Sequence, residues 1–359
     1  MNYYTLARKY RPNNFKEVVG QKDILLAILN SIKLKKIHYA YLFSGERGVG
    51  KTTIARLFAK SLSCKKGITV NHCNKCNNCL EIKEGTNIDI IEIDGASHTK
   101  IEEIKKVLNN VRYPPISCKF KIYIIDEVHM LSKYSFNALL KILEEPPIFT
   151  KFIFATTEVK KIPLTIISRC LHFKLSKLNK KDIKKKINNI LKENKIKFRK
   201  EAIDTIIYAS KGSMRDALNL IDHAITAGDG FISSKIVNSI LKTLNSKQIL
   251  FILELLIKKK IKKLLKYIDI YDKYNIDWDD IITKILIFIH KIIMEKSNIE
   301  NYSSEENEYI NSKIKKLSNI VDIHDIYKYY RLFIEGRKNL CLAPTTKIGI
   351  EIIIFKTTI

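Results

Sequence analysis

Residues 45–52 read Gly-Glu-Arg-Gly-Val-Gly-Lys-Thr, a glycine-rich spacing that suits the binding of phosphate groups. An apolar run at 39–43 precedes this segment and a helix-like segment at 52–58 follows it, which is the strand, loop and helix order of a P-loop. Glycines let backbone N–H groups turn toward phosphate oxygens, and the dipole of the following helix adds to the attraction. We therefore predict that nucleotide is bound by Gly45, Glu46, Arg47, Gly48, Val49, Gly50, Lys51 and Thr52.

Two side chains of this loop have the chemistry to act on a bound nucleotide. Lys51 supplies a point charge for the β- and γ-phosphates of ATP, and the hydroxyl of Thr52 suits Mg²⁺. The alternative is a chance glycine-rich turn. Such a turn would not explain why a strand and a helix pattern flank the segment.

An acidic pair follows a second apolar run of strand length. Residues 121–125 are Lys-Ile-Tyr-Ile-Ile, and Asp126 and Glu127 come directly after them. We predict that Asp126 holds Mg²⁺, mostly through water, because Mg²⁺ keeps several of its waters in proteins. A second carboxylate can orient and deprotonate an attacking water, so Glu127 indicates hydrolysis rather than nucleotide storage. The alternative is a pair of solvated acids at a strand end, and the upstream P-loop favours the functional interpretation.

Four of the seven cysteines lie close together, with the spacing C-x8-C-x2-C-x2-C. We predict that they form a closed, structural Cys₄ zinc site in an insertion (64–79) after the P-loop helix. An iron–sulfur cluster or unligated thiols are the alternatives. The predicted ligands are Cys64, Cys73, Cys76 and Cys79. We interpret His72 as a neighbour of this site, and the isolated Cys118, Cys170 and Cys341 as small apolar residues.

The chain of 359 residues is long enough for two or three domains, and its formal net charge is +27. Lysine greatly outnumbers arginine and accompanies many isoleucines and asparagines, a composition that an A/T-rich genome produces without selection for binding. The charge therefore supports nucleic-acid binding only weakly, although a salt-sensitive affinity for polyanions is expected. No apolar run reaches the ~18 residues that span a bilayer, and the N-terminus has no signal-peptide core, so we expect a cytoplasmic protein without membrane contact.

Strand and helix patterns alternate over residues 1–178 and then give way to helices. The alternation predicts an α/β fold with a parallel sheet and helices on both faces. After residue 179 no sheet signal remains, and we predict a small helical domain over the nucleotide (179–243) and a helical assembly domain (244–359).

The predicted strands are Tyr39–Phe43, Asp89–Asp94, Lys121–Ile125, Phe152–Thr156 and Leu171–Leu175. The predicted helices include 100–111, 132–143, 180–194, 199–210, 214–227, 278–294 and 323–334.

Three further polar residues stand at positions where they could reach a nucleotide. Thr157 follows the fourth predicted strand and could hold the attacking water or sense the γ-phosphate. Arg169 lies just before the fifth predicted strand, in a chain that favours lysine, which suggests a role that needs a planar guanidinium. Arg169 could serve the site of a neighbouring subunit, and Arg215, at the start of a later helix, could reach back to phosphate. For each arginine a simple ion pair is an equally good interpretation.

Together these segments resemble the gamma/tau family of bacterial DNA polymerase III, the AAA+ ATPases of the clamp loader. The resemblance covers nearly the whole chain, and its motifs occur in the family order. They are ARKYRP (7–12), VVGQ (18–21), HYAYLFSGERGVGKTT (38–53), the four cysteines, IIDEVHMLSKYSFNALLKILEEPP (124–147), FATTE (154–158), SRC (168–170), GSMRDAL (212–218) and GRKNLCLAP (336–344).

The resemblance implies a role for each matching residue. Lys51 and Thr52 would bind ATP and Mg²⁺, Asp126 would be the Walker B ligand, and Glu127 would activate water. Thr157 matches the sensor 1 position, Arg169 the finger that completes a neighbour's ATP site, and Arg215 the sensor 2 position. The adenine pocket would be lined by Tyr10, Pro12 and Val19.

The resemblance also implies partners. They would be the delta and delta′ subunits, further copies of this chain, the beta sliding clamp and primer–template DNA, with the last domain as the oligomerising collar. Backbone contacts to DNA would come from Lys100, Lys105, Lys141 and Lys161, whereas His98 departs from the family pattern. The chain stops at Ile359, about where the collar ends, so we expect a gamma-type product or a shortened form, and we do not assign it the tethering role of the longer tau.

Other functional classes explain less of the sequence. A replication factor C-like or Holliday-junction motor would lack the cysteine insertion. A catalytically silent structural subunit of the same complex would typically have a degraded P-loop, whereas Lys51, Thr52, Asp126 and Glu127 are all present here. A zinc-dependent nucleic-acid-binding module would leave the nucleotide motifs unexplained.

Overall fold

The structure is a computed structural model. It describes residues 5–97, 110–273, 276–297 and 308–358. The predicted helix at 100–111 lies outside the described residues except for its last two, which belong to a short 3-10 turn, Asn110–Arg112. His98, Lys100 and Lys105 also lie outside the described residues.

The chain divides into two compact units, Met1–Ser233 and Ser234–Ile359, and each is described by itself. The predicted division into three domains, with boundaries after residues 178 and 243, stays a prediction.

A five-stranded parallel sheet forms the centre of the first unit, which confirms the predicted α/β class. Its strands lie in the order β2-β3-β4-β1-β5, so that β1 pairs with both β4 and β5. The strands are β1 Ala40–Ser44, β2 Ile90–Asp94, β3 Lys121–Asp126, β4 Thr150–Thr156 and β5 Leu171–Lys174.

Helices surround this sheet and continue after it. They are α1 Leu6–Lys9, α2 Lys22–Lys33, α3 Lys51–Ser63, α4 Asn77–Glu84, α5 Lys133–Glu144, α6 Leu164–Ile167, α7 Lys180–Glu193, α8 Lys200–Ala209 and α9 Met214–Ala227. Short 3-10 turns occur at Phe15–Glu17, Asn110–Arg112, Val128–Met130 and Val159–Lys161.

Helices cover both faces of the sheet because alternate strand residues point to opposite sides. On one face, Tyr41 and Phe43 of β1 pack in a buried cluster with Phe58 of α3. On the other face, Leu42 of β1 packs in a second buried cluster with Phe136 of α5. Strands β1, β3 and β4 are buried along nearly their whole length, which is why they appear in the sequence as largely apolar runs, whereas β2 and β5 at the edges of the sheet are more exposed.

The prediction that no strand follows residue 179 is wrong in one detail. Two short parallel strands, β6 Lys197–Phe198 and β7 Phe231–Ile232, pair beside helices α7 to α9. Each is only two residues long, so neither can show the alternation that identifies a strand in a sequence. The pair exists because helix packing brings the two segments together.

The second unit is helical around one core. Its helices are α10 Ser234–Leu241, α11 Ser246–Ile257, α12 Ile261–Asp272, α13 Trp278–Lys296, α14 Glu308–Ile320, α15 Ile323–Asn339 and α16 Thr346–Thr358, with a 3-10 turn at Leu340–Leu342. Buried side chains such as Leu253, Ile289 and Phe333 fill its core. Within the described part of the chain, every helix is too short or too polar to cross a membrane.

Asp89, just before β2, is a buried carboxylate that fixes the loop leading into β3. It accepts hydrogen bonds from the backbone N–H groups of Ile116 (2.8 Å), Ser117 (2.6 Å) and Cys118 (2.8 Å), and from the Ser117 hydroxyl (3.0 Å). Burial alone would raise the pKa of Asp89, but these donors outweigh it and hold the pKa below the ordinary value of 3.8.

Asp89→Asn should therefore lower the free energy of unfolding by about 1–3 kcal/mol, because three backbone N–H groups lose a charged acceptor. A depressed folded pKa contributes stability above the ordinary value and loses it as the pH falls through the folded pKa. The difference from wild type should thus be full at neutral pH and shrink below about pH 3.8. Urea unfolding at a series of pH values measures it.

Asp229→Asn is the matched control, because Asp229 is exposed and its φ of 46° suits asparagine as well as aspartate. An equal loss in both variants would contradict a structural role for the Asp89 carboxylate.

Candidate nucleotide site and cysteine cluster

The loop 45–50 joins the end of β1 to the start of α3, as the sequence predicts. Gly48 has a φ of 77° and Gly50 a φ of 108°, a region of backbone conformation that side chains disfavour. These conformations let the loop curl around the amine of Lys51. The Lys51 Nζ donates to the carbonyl oxygens of Gly45 (2.8 Å) and Glu46 (2.9 Å).

Lys51 is buried, with only 4% of its surface exposed. Burial lowers the pKa of Lys51, and the nearby carboxylates of Glu127 and Asp126 act in the opposite direction. The amine is therefore a cation with few water contacts and with weakly competing carbonyl partners. Such a group can exchange those carbonyls for phosphate oxygens at small cost.

Thr52 and Asp126 meet although 74 positions separate them in the sequence. The Thr52 hydroxyl donates to a carboxylate oxygen of Asp126 at 2.6 Å. Both groups offer oxygen atoms, which are the ligands that Mg²⁺ prefers. The donor set therefore fits the predicted magnesium site.

Glu127 lies at the turn after β3, in a left-handed conformation with a φ of 44°. The backbone N–H and the hydroxyl of Thr157 both donate to its Oε2, at 3.1 and 3.0 Å. The two donors fix the direction of the carboxylate. Thr157 thus contacts the predicted water-activating group directly, which the sequence analysis did not anticipate.

The start of α9 lies directly against the P-loop. The backbone N–H of Met214 donates to the carbonyl of Gly48 at 3.2 Å. A Cβ atom added at Gly48 would lie 1.9 Å from the Ser213 hydroxyl oxygen and 3.3 Å from the Cβ of Arg215. Arg215 therefore lies beside the loop, and its reach to phosphate stays a prediction.

Arg11, which follows Tyr10 in the first motif of the family pattern, was not among the predicted site residues. Burial and the nearby Arg56 lower the pKa of Arg11. The guanidinium also interacts electrostatically with Arg215, which lowers this pKa further, and with Asp126, which raises it. Arg11 is thus a second, half-buried cation near the loop. The available signal was an arginine between two residues already assigned to the adenine pocket.

The other N-terminal residues are held by the helices that follow the sheet. The backbone N–H of Leu6 donates to Asp222 of α9 at 2.7 Å, and the Asn194 amide donates to the Tyr10 hydroxyl at 2.5 Å. Pro12 and Val19 are half-buried. Their assignment to an adenine pocket stays a prediction, as does that of Tyr10.

In the described part of the chain, the hydrogen bonds of the Arg169 side chain go to residues outside the P-loop. Its guanidinium donates to the carbonyl of Thr165 at 2.8 Å and to the carboxylate of Glu144 at 2.9 Å. Its side chain is 32% exposed, so the ion pair lies near the surface. An arginine that is held at the surface can contact another molecule. Its pairing with Glu144 is also the simple ion pair that the sequence left open as the alternative.

The four predicted cysteines come together. Their sulfur atoms all lie within 4.8 Å of one another, and the Cys64–Cys73 distance is 3.7 Å. Hydrogen bonds from the backbone N–H groups of Lys75 and Cys76 lower the pKa of Cys73 to about 6, which favours the thiolate that metals bind. Four thiolates at this spacing fit a tetrahedral metal ion.

His72 is not part of the cysteine cluster, as predicted. Its Nε2 lies 2.6 Å from the carbonyl oxygen of Asn13, and its Nδ1 lies 3.5 Å from the hydroxyl of Ser61. The ring therefore ties the insertion to the N-terminal segment.

Three family models match consecutive parts of the chain. They describe the delta subunit of DNA polymerase III (20–179), the ATPase lid domain of the DNA polymerase III clamp loader subunit (182–230) and domain III of the DNA polymerase III subunits gamma and tau (232–359).

Two relatives match over almost their whole length. DNA polymerase III subunit gamma of Buchnera aphidicola subsp. Baizongia pistaciae is 45% identical and aligns over 99% of this chain and 97% of its own. The subunit of the same name from subsp. Schizaphis graminum is 46% identical, with coverages of 99% and 98%. DNA polymerase III subunit tau of Escherichia coli is 43% identical over 99% of this chain, which spans 55% of that relative.

Among solved structures, the Thermotoga maritima RuvB Holliday junction branch migration motor matches 72% of this chain and 85% of its own. The identity is 20% and the TM-score 0.48, a likeness too low to carry an argument.

Gly48→Ala should destabilise the first unit more than Gly50→Ala does. Both positions have a positive φ, so both variants strain the backbone, but nothing lies within 4 Å of a Cβ at Gly50. At Gly48 the new methyl group must displace Ser213, which should cost about 1–3 kcal/mol more in the free energy of unfolding. Urea unfolding of the two variants measures the difference.

Ser213→Gly in the Gly48→Ala background should recover part of this loss, since it removes the nearest atom and glycine is an acceptable residue at a helix N-cap. Equal stabilities of Gly48→Ala and Gly50→Ala would show that the start of α9 does not rest on the loop in solution.

Proposed function

The chain belongs to the family of the gamma and tau subunits of DNA polymerase III, and on that premise we propose that it is the ATP-hydrolysing motor of a clamp loader. Its substrate is ATP, and its reaction is transfer of the γ-phosphoryl group to water. The observation that carries the proposal is the meeting of Lys51, Thr52, Asp126, Glu127 and Thr157 at one edge of the sheet.

The phosphate groups of ATP are held by the loop and by Lys51. The N–H groups of the loop and of the first turn of α3 donate to phosphate oxygens, and Lys51 exchanges its carbonyl partners for them. Arg11 and Arg215 add two cations from other elements beside the same loop. Mg²⁺, held by Thr52 and Asp126, would neutralise charge that develops on the β- and γ-phosphates.

Glu127 acts on the attacking water. Its carboxylate orients the water and takes a proton from it as the water oxygen bonds to the γ-phosphorus. The bond between that phosphorus and the bridging oxygen breaks, so that ADP leaves with the bonding electrons. Thr157 holds the carboxylate in place through two hydrogen bonds.

Arg169 completes the ATP site of a neighbouring subunit. Its guanidinium lies at the surface on Glu144 and Thr165, where a phosphate of another subunit's ATP can reach it. We propose that this chain forms a ring with further copies of itself and the delta and delta′ subunits, through the collar formed by the second unit. The ring opens the beta sliding clamp and places it on primer–template DNA in the cytoplasm.

DNA contact is supported by the net charge of +27, and Lys141 and Lys161 are the described lysines proposed to meet the DNA backbone. Their contribution should fall with rising salt, since each phosphate contact releases bound counterions.

We propose that Cys64, Cys73, Cys76 and Cys79 hold a structural Zn²⁺. The support is the closeness of the four sulfur atoms together with the burial of Cys64 and Cys79. Such a site has no open position and stabilises the insertion rather than reacting.

In the reconstituted ring, Glu127→Gln should lower ATP hydrolysis by about 100- to 10,000-fold with ATP binding retained, because it removes only the group that handles water. Arg169→Ala should lower hydrolysis by up to about a thousandfold, the lower end of the effect of known arginine fingers. Steady-state ATP hydrolysis with delta, delta′ and beta clamp, with and without primed DNA, measures both.

Arg112→Ala, at an exposed arginine of the same unit, is the matched control and should hydrolyse ATP like wild type. Two results together would overturn the assignment as a motor and favour that of a structural subunit. Clamp and primed DNA would not stimulate the wild-type rate of ATP hydrolysis, and Arg169→Ala would have the same rate as wild type.

The purified chain should contain a single zinc ion. Cys76→Ser should weaken zinc binding, whereas Cys341→Ser should not, because Cys341 is exposed and isolated from the cluster. Removal of the metal by a chelator should lower the melting temperature, since a structural zinc site contributes folding energy. Metal analysis and thermal unfolding measure these changes. Visible absorption with iron in place of zinc would contradict the assignment.

A further inference from the structure

His72 lies in the cysteine insertion, directly before Cys73, and the mechanism above does not use it. Only 6% of its surface is exposed. Its Nε2 lies 2.6 Å from the carbonyl oxygen of Asn13, and since a carbonyl oxygen only accepts, Nε2 carries the proton and donates. Its Nδ1 lies 3.5 Å from the hydroxyl of Ser61, a buried residue of α3. One ring therefore contacts both the N-terminal segment and the helix that follows the P-loop.

The segment that accepts this hydrogen bond is tightly turned and leads to the nucleotide site. The backbone N–H of Asn13 donates to the carboxylate of Glu17 at 2.8 Å, and the backbone N–H of Glu17 donates to the Asn14 side chain at 3.1 Å. Arg11, two positions before Asn13, interacts electrostatically with Asp126 of the predicted magnesium site. A shift of Asn13 would therefore move the backbone that carries a cation of this site.

Apolar side chains add to the contact between the insertion and the N-terminal segment. Phe15 is buried, with 5% of its surface exposed, in a core cluster that includes Phe58 of α3. Ile68 and Val70 of the insertion are partly buried and pack against the same cluster. The insertion and the N-terminal segment thus share one core, and His72 adds a directional polar contact between them.

The insertion depends on its cysteines for its shape. Residues 64–76, all of them described, form neither helix nor strand. Their backbone turns around the cluster instead: the N–H of Cys73 donates to the sulfur of Cys64 at 3.5 Å, and the N–H of Cys76 to the sulfur of Cys73 at 3.3 Å. A metal ion bound by these sulfur atoms would link Cys64 to Cys73 and restrict the residues between them. The position of His72 therefore depends on the cluster.

We propose that His72 is a positioning residue that couples the cysteine cluster to the nucleotide site, so that zinc in the cluster raises the affinity of the chain for nucleotide. An ordered insertion holds His72 where it donates to Asn13, and this bond fixes the N-terminal segment before nucleotide binds. Nucleotide then binds with a smaller loss of conformational freedom. Linkage requires the reverse effect, so bound nucleotide raises the affinity for zinc by the same factor. This inference rests on the proposed nucleotide and zinc sites and gives the insertion a role beyond stability.

The first test measures binding of a fluorescent ADP analogue to the purified full chain in excess Mg²⁺, before and after zinc is removed by a chelator that is selective for zinc over magnesium. Removal of zinc should weaken ADP binding by about twofold to thirtyfold, the range of coupling between sites. In the reciprocal measurement, competition with the same chelator should show that saturating ADP raises the affinity for zinc by the same factor.

His72→Gln and His72→Asn form a matched pair of neutral amides that differ in reach. The amide nitrogen of glutamine can take the place of Nε2 and donate to Asn13, whereas asparagine ends near the place of Nδ1. His72→Gln should therefore bind ADP like wild type. His72→Asn should bind it about twofold to thirtyfold more weakly, with its zinc retained and with no further loss when zinc is removed. His324→Asn, at an exposed histidine of the second unit, should match wild type in both measurements.

The outcomes separate this coupling from the two sites on which it rests. Equal ADP affinity of zinc-loaded His72→Asn and wild type overturns the coupling, and so does an equal loss in His72→Asn and His72→Gln, because the Nε2 bond is then not the link. An unchanged ADP affinity of folded, zinc-free wild type overturns it as well.

Thermal unfolding shows which proteins are folded. If zinc-free wild type is unfolded, the zinc-loaded variants decide, and if His72→Asn is unfolded, wild type with and without zinc decides. If zinc-loaded wild type binds no ADP, the proposed function itself fails. A purified chain that contains no zinc overturns the proposed metal site and the coupling with it.

Discussion

The parallel pairing of β1, β3 and β4 is the constraint on which the rest of this structure depends. In this register Ser44 lies beside Thr156, and Ile125 lies beside Phe154, so three strands end at the same edge of the sheet. Parallel strands place their carboxyl ends together, and each connection then begins at that edge. The P-loop, the acidic pair and Thr157 are therefore neighbours because of hydrogen bonds between strands, not because of contacts among the site residues themselves.

Contacts of the predicted site residues fall into two groups that differ in their exposure to water. The less exposed group consists of the hydrogen bond from the Thr52 hydroxyl to Asp126 and those from the Lys51 amine to the loop carbonyls. Hydrogen bonds to charged groups contribute most where few waters compete. The Arg169–Glu144 pair is much more exposed. Exposed ion pairs contribute about 0–1 kcal/mol, so this second group can exchange partners without unfolding the site. The contacts of Lys51 and Thr52 are therefore preorganised, whereas the Arg169–Glu144 pair is exchangeable.

Elements outside the sheet are joined to the site through a few specific hydrogen bonds. The N-terminal segment is tied to α9 through Asp222 and to the cysteine insertion through His72. The start of α9 in turn rests on Gly48 of the loop. A nucleotide in the loop would thus contact the sheet, the helices after it and the N-terminal segment together. A metal in the cysteine cluster would stabilise the end of the same segment from the other side.

Much of the fold and of the site could be predicted from the sequence because it depends on local patterns. The P-loop, the acidic pair and the cysteines each show their chemistry within a few residues, and α9 begins and ends where its apolar period predicts. The contact between Thr157 and Glu127, the closeness of Arg11 to Arg215 and the pairing of Arg169 with Glu144 could not be predicted in this way. These contacts join residues that are far apart in the chain, and no local spacing encodes which side chains meet. The sequence by itself determined which groups could do chemistry, whereas only the tertiary structure decided which of them meet, because strand register and helix packing set those distances.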